Sequence, residues 1–159
     1  MRALLDIEDA GATLEASVPV VLAPLIMQVR LALIRALDQE FLGDAEVAPL
    51  EITTAQFAIL KNVLRGCAKS ACDLCKAMEY DRGAMSRMLD RLEAKQLLRR
   101  VPLKHTRRTV ALEVTAAGRA AYPKMEACLD RVVARLLAGI AADEVRQAEG
   151  VLKRMLANA

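Results

Sequence analysis

The sequence predicts a mainly α-helical fold with a small β-wing, and three observations carry that reading. The 159 residues are 55% hydrophobic but only 3% aromatic. Ala, Leu, Val and Met supply the apolar mass, which suits helix packed on helix and not a β-sandwich. Apolar residues recur at helical spacing along most of the chain. Only near the middle does the period change: Val110, Leu112 and Val114 alternate with Thr109, Ala111 and Glu113, as in a half-buried strand.

The elements follow in order. Residues 1–16 carry several acids and weak periodicity, the pattern of a short helix or a loose N-terminal arm. Val18 to Leu42 is strongly apolar, with Pro19 near its start and Gly43 after its end, the usual punctuation of a helix. Pro24 either sits in the first turn or kinks it. The apolar residues of this helix cover more than one face, so a partner chain is expected to cover part of it. Residues 43–52 read as a loop. Thr53 or Thr54 then caps a helix from Ala55 to about Arg65, with Phe57, Ile59 or Leu60, and Leu64 inward, and Gly66 stops it. Ser70 caps the next helix, with Asp73 three residues on. Leu74, Ala77 and Met78 are its expected apolar side.

Asp81 to Thr115 organises the rest. Asp81 is the expected N-cap of a helix running to about Lys95. Met85, Met88, Leu89 and Leu92 form one buried stripe, and Arg82, Ser86, Arg87, Asp90 and Arg91 form the opposite face. A basic hairpin with its tip at Lys104-His105-Thr106-Arg107-Arg108 follows. Two short helices joined by a tight turn, then two strands, make a winged helix-turn-helix. After Thr115, residues 116–138 and 142–157 read as helices separated by Gly139. Their apolar positions include Ala120, Met125, Leu129, Val132 and Leu136, then Val145, Val151, Leu152 and Leu156. The expected organisation is a winged domain over 53–115, a dimerisation region formed by 17–43 and 116–158, and an arm over 1–16.

Charge points to the partner. Residues 76–108 hold ten Lys/Arg against four Asp/Glu, a net +6. The whole chain is 23 minus 20, or +3, so the remainder is −3. A basic segment on a mildly acidic protein fits a phosphate backbone, hence double-stranded DNA. With no Trp, two Phe and two Tyr, base stacking on a single strand is a poor mechanism. No apolar run reaches the length of a membrane span. The acidic start lacks the features of a signal peptide. A cytoplasmic protein with reduced cysteines is expected. One His, no nucleophile motif and no phosphate loop argue against an enzyme, and no cofactor is expected.

Three stretches carry a resemblance to a known family. They are Ile52-Thr53-Thr54-Ala55-Gln56-Phe57-Ala58-Ile59-Leu60, then Ser86-Arg87-Met88-Leu89-Asp90-Arg91-Leu92-Glu93-Ala94-Lys95, and Thr106-Arg107-Arg108 with Val114-Thr115-Ala116-Ala117-Gly118. In this order they resemble the MarR (multiple antibiotic resistance regulator) family of bacterial transcription factors over about residues 18–157. The second resembles its recognition helix; the third resembles its wing and the turn into a dimerisation helix. Three positions depart from the pattern. Gln96 stands where the family commonly has a left-handed Gly, at a cost of about 1 kcal/mol or a shifted helix end. Thr106 replaces an Asp, and Gly83 replaces a polar residue.

The resemblance implies a homodimeric regulator, expected to act as a repressor, on a pseudo-palindromic operator with half-sites about one helical turn apart. Arg82, Ser86 and Arg87 are the candidates for base edges, with Arg87 equally suited to phosphate. Arg91, Ser70 and Lys76 would meet the backbone, and Lys104, His105, Arg107 and Arg108 the minor groove or its phosphates. By resemblance, a small anionic or phenolic effector would bind between the dimerisation helices and the winged lobe. Arg30, Arg35 and Arg65 could anchor its carboxylate or remain solvated. Cys72 and Cys75 form a C-x-x-C on one helical face. They are candidates for a thiol redox switch, giving an alternative oxidant-sensing regulator. No metal site is expected, since Cys67 and His105 are the only further donors. Plain packing is the simpler role for Cys75 and for Cys128. The rival class is a winged-helix protein-interaction module that does not read DNA.

Overall fold

The structure is a computed structural model that describes residues 18–102 and 110–158. Among these, the order is α1 (Val18–Gly43), α2 (Thr54–Leu64), α3 (Ala71–Met78), α4 (Arg82–Ala94), β1 (Leu98–Pro102), β2 (Val110–Val114), α5 (Ala116–Leu136) and α6 (Ala142–Ala157). The fold is therefore mainly α with a two-stranded antiparallel wing. The expected arm over 1–16 and the tip residues Lys104, His105, Arg107 and Arg108 lie outside the described residues.

The starts of α2, α3 and α4 each have a local cause. Thr53 Oγ1 accepts from Gln56 N, and Gln56 Oε1 accepts from Thr53 N, a reciprocal capping box that satisfies two free donors. Thr54 is the first helical residue; its N–H and hydroxyl both donate to Asp38 Oδ1 at 2.8 Å, tying α2 to α1. Ser70 and Asp73 form the second box, at the start of α3. Asp81 Oδ1 accepts from Ala84 N at 2.8 Å and starts α4. Pro24 lies inside α1, past its first turn, and removes one i→i−4 hydrogen bond there. The expected loop at 43–52 contains a single 3-10 turn, Ala48–Leu50, set beside the buried Val47.

The core gathers Phe41 from α1, Phe57, Ile59 and Leu60 from α2, and Leu74 from α3. Met85, Leu89 and Leu92 of α4 join it, with Leu98, Leu112 and Val114 of the wing and Met125, Cys128 and Val132 of α5. Both Ile59 and Leu60 are buried, and Leu64 and Met88 pack partly against the cluster. Three expectations fail at element edges. Ala77 and Ala120 are exposed, and their places are taken by Cys75 and Ala121. Val110 is exposed because it pairs with Pro102 at the last rung of the hairpin. Phe57 stands edge-on to Phe41 and stacks on Tyr122, with centroids 5.8 and 5.5 Å apart. Three of the chain's four aromatic rings thus join α1, α2 and α5.

The ends of the long helices are different. Val21, Leu25, Met27 and Val29 of α1 are exposed, as are Val151, Leu152, Met155 and Leu156 of α6, and α6 buries no residue. No helix among the described residues is long and apolar enough to cross a membrane.

Candidate nucleic-acid interface

The helix that resembles the family's recognition helix is α4 (Arg82–Ala94), and both its ends are held by named contacts. At its N-terminus the Asp81 carboxylate is kept below the usual range, first by the Ala84 N–H it accepts from. It therefore stays ionised against the positive end of the helix. At its C-terminus Gln96 has φ of 56°. Gln96 N donates to Glu93 O at 2.8 Å and Leu97 N to Leu92 O at 3.0 Å, the paired bonds of a Schellman ending. The helix end does not shift; Gln96 takes the left-handed conformation that favours Gly.

That ending is locked to α5. Thr115 Oγ1 donates to Gln96 O at 2.6 Å and accepts from Gly118 N at 3.0 Å. Thr115 N donates to Leu97 O at 3.1 Å. A Cβ on Gly118 would lie 2.2 Å from Leu97 O and 2.6 Å from Val114 Cγ1. The Val-Thr-Ala-Ala-Gly turn is thus a clamp: Thr bridges two backbone segments, and Gly lets them touch. Sequence reasoning marked this turn by resemblance but missed its mechanical role, because Gln96, Leu97 and Gly118 meet only in space.

The cations of the basic window separate into two groups. Arg99 pairs with Glu113 across the strands at 2.6 Å. Arg100 reaches back to Asp90 at 2.8 Å and to Glu93, fastening β1 to α4. Lys95 Nζ donates to Glu51 O at 2.5 Å, and its pKa is lowered, first by burial. These three are structural. Lys76, Arg82, Arg87 and Arg91 are exposed and make no ion pair among the described residues. Arg100 escaped the sequence reading because its acids are seven and ten residues away and converge only when the strand folds onto the helix.

The exposed face of α4 carries two rows, since residues four apart share a side. Arg82 and Ser86 line a cavity with Cys72 and Cys75. Arg87 and Arg91 form the adjacent row. A Cβ on Gly83 would lie 3.2 Å from Asp81 Oδ1, a tight contact with the capping carboxylate, and 3.5 Å from Arg87 Nη1, an ordinary one. Ser70 Oγ is already engaged as a cap. Lys69 O accepts from Leu112 N at 3.0 Å, which docks the wing on the loop before α3.

The other candidates are dispersed. Arg30 lines a cavity of about 310 Å³ with Asp38, Thr53, Thr54, Met78 and Tyr80. Arg65, the residue that ends α2, lies 3.9 Å from Glu126 of α5, and Arg35 is exposed on α1. Cys128 is buried, as expected for packing, and burial pushes its thiol pKa up. Cys75 is only half-buried, and Cys67 and Cys72 are exposed. No cluster of three or more His, Cys, Asp or Glu among the described residues could hold a metal.

A helix-turn-helix followed by a wing, with an exposed cationic face on the second helix, defines the winged-helix class of transcription regulators. Residues 50–109 match the model of the MarR family. The chain is 32% identical over 111 residues to the multiple antibiotic resistance protein MarR of Escherichia coli K12, covering 69% of this chain and 77% of that protein. Two solved structures superpose well. The Multiple Antibiotic Resistance Repressor, MarR, gives a TM-score of 0.69 at 32% identity, covering 85% of this chain and 94% of the other. A cysteine-to-serine mutant of E. coli MarR complexed with operator DNA gives 0.73 at 29% identity, covering 89% and 99%. The chain belongs to the MarR family and is a transcription regulator.

Proposed function

We propose that the protein is a homodimeric repressor that grips a pseudo-palindromic DNA duplex with two copies of α4. The observation that carries this reading is the separation of cations around that helix. Arg99 and Arg100 are spent on intramolecular acids, whereas Arg82, Arg87 and Arg91 are exposed beside Ser86 without ion pairs among the described residues. Arginine left unpaired in this way is available for guanine edges and phosphates. The relative solved with operator DNA supports the same use. Lys76 and Ser70 at α3 would position the backbone, and the wing tip Lys104, His105, Arg107 and Arg108 would add contacts at the minor groove.

The exposed apolar residues at the start of α1 and along α6 support dimerisation through residues 17–43 and 116–158 around the winged domain 53–115. Their exposure in one chain is the signature of a surface that a second copy buries. A double Leu152→Glu, Leu156→Glu variant would be monomeric in sedimentation if this is correct. The cavity beside Arg30, between α1 and the winged lobe, supports release by a small anionic or phenolic effector.

Fluorescence anisotropy tests the reading. The gene's own upstream duplex and a scrambled duplex would be compared across a salt series. Specific binding that weakens steeply with salt is the expected result. Equal, weak binding to both duplexes would overturn it and favour a protein-interaction module.

A further inference from the structure

Two thiols are left over from this account. Cys72 is exposed and Cys75 half-buried. They sit one turn apart on α3, and both line one cavity of about 190 Å³. The facing wall is Arg82 and Ser86 of α4, with the buried Leu89 behind it, and Arg100 of β1 and the exposed Ala71 complete the lining. A second cavity of about 620 Å³ shares Cys72 and Ser86 and gives a reagent access. Cys67 lines neither cavity, and Cys128 is buried.

The geometry points to a dithiol site: we propose that Cys72 and Cys75 together capture a trivalent organoarsenical, and that its occupancy displaces Arg82 and Ser86 from DNA. The choice of ligand follows from spacing and donor number. Helical residues three apart hold their Cβ atoms roughly 5–6 Å from each other, whereas a disulfide needs about 3.5–4.5 Å. Direct S–S closure must therefore distort the first turns of α3. An atom inserted between the sulfurs widens the span and lets the helix keep its form. A metal ion would need further protein ligands, and no cluster of three donors is present among the described residues. Trivalent arsenic that carries its own organic group needs only two, and the methyl of Ala71 gives that group an apolar edge.

The step balances without an oxidant. An R–As=O reagent meets two thiols; two S–H bonds break, two S–As bonds form, and the oxygen leaves as water with the two protons. Arsenic remains trivalent. Because Arg82 and Ser86 share the cavity with both thiols, filling it pushes on the row of α4 assigned to base edges. That consequence rests on the proposed DNA reading; capture itself does not.

The test uses the full-length reduced protein and phenylarsine oxide, read by intact mass. One phenylarsenic bridge, less two protons, is expected on the wild type and on Cys67→Ser. It should be removed by a dithiol chelator and resist a monothiol. Cys72→Ser is the decisive variant, since the residue is exposed and its replacement spares the core; it should capture none, as should Cys75→Ala. Capture by Cys72→Ser, loss in Cys67→Ser, or no uptake by the wild type would overturn the site. In parallel, anisotropy with upstream duplex should show binding weakened about tenfold or more by the reagent, and unchanged in Cys72→Ser. Stoichiometric capture with unaltered DNA affinity would overturn the coupling.

Discussion

Replacing Gln96 by Gly should stabilise the protein. Gln96 is exposed, and its φ is 56°. Its structural contacts all run through the backbone: its N–H to Glu93 O, the neighbouring Leu97 N–H to Leu92 O, and its carbonyl accepting from Thr115 Oγ1. Substitution by Gly keeps each of these and removes only the Cβ. A side chain in the left-handed region costs roughly 1–2 kcal/mol. Gly gives back about 0.4–1 kcal/mol through a freer unfolded chain. The net gain is therefore about 0.5–1 kcal/mol, a rise of roughly 1–4 °C in Tm for a chain this long. Thermal and urea unfolding at one fixed protein concentration measure it, which matters because dimerisation would couple to Tm. A β-branched Gln96→Val variant should move the other way. If Gln96→Gly lowers stability, only the unfolded-state term is acting, and the left-handed ending of α4 is refuted.

Three other outcomes follow from the same contacts. Gly118→Ala places a Cβ 2.2 Å from the Leu97 carbonyl oxygen, a backbone atom that cannot yield without breaking the clamp. It should cost about 3 kcal/mol in urea titration. Arg82→Ala should cost roughly 1–3 kcal/mol and relax operator preference, whereas Arg91→Ala should weaken all duplexes alike and lower the salt slope by about one; anisotropy separates the two. Acid unfolding reports the joint between α1 and α5. Glu40 is held below the usual carboxylate range, first by Arg131 and then by Arg135; Asp44 is lowered first by the Glu46 N–H and then by Arg131. Carboxylates with depressed pKa stabilise above their ordinary range, and that contribution fades as pH falls through their folded values. Arg131→Gln should flatten the acid limb of a stability–pH curve and leave the alkaline side unchanged in shape.

Much of this molecule is local, and local order is legible in a sequence. Thr53 with Gln56 and Ser70 with Asp73 are three apart, so their capping boxes stand in the letters. The stripe Met85, Leu89, Leu92 follows from one helical period, and the wing strand from a period of two. Gln96 stood out only through the family resemblance, which places a left-handed Gly at that helix ending. Charge counting marked a window but weighed all ten of its cations equally. Only the folded chain brings Arg100 onto Asp90 and Glu93, and Arg99 onto Glu113, leaving Lys76, Arg82, Arg87 and Arg91 as the window's exposed cations without an ion pair among the described residues. Packing was the simpler role for Cys75, and its half-buried side chain does lie against the core; the fold also places it beside Cys72 on a cavity shared with Arg82. The physical reason is one of range. Propensity, caps and periodicity act over a turn or two of chain. Ion pairing, close backbone contact and cavity walls depend on residues that the sequence separates and the tertiary fold brings within a few ångströms.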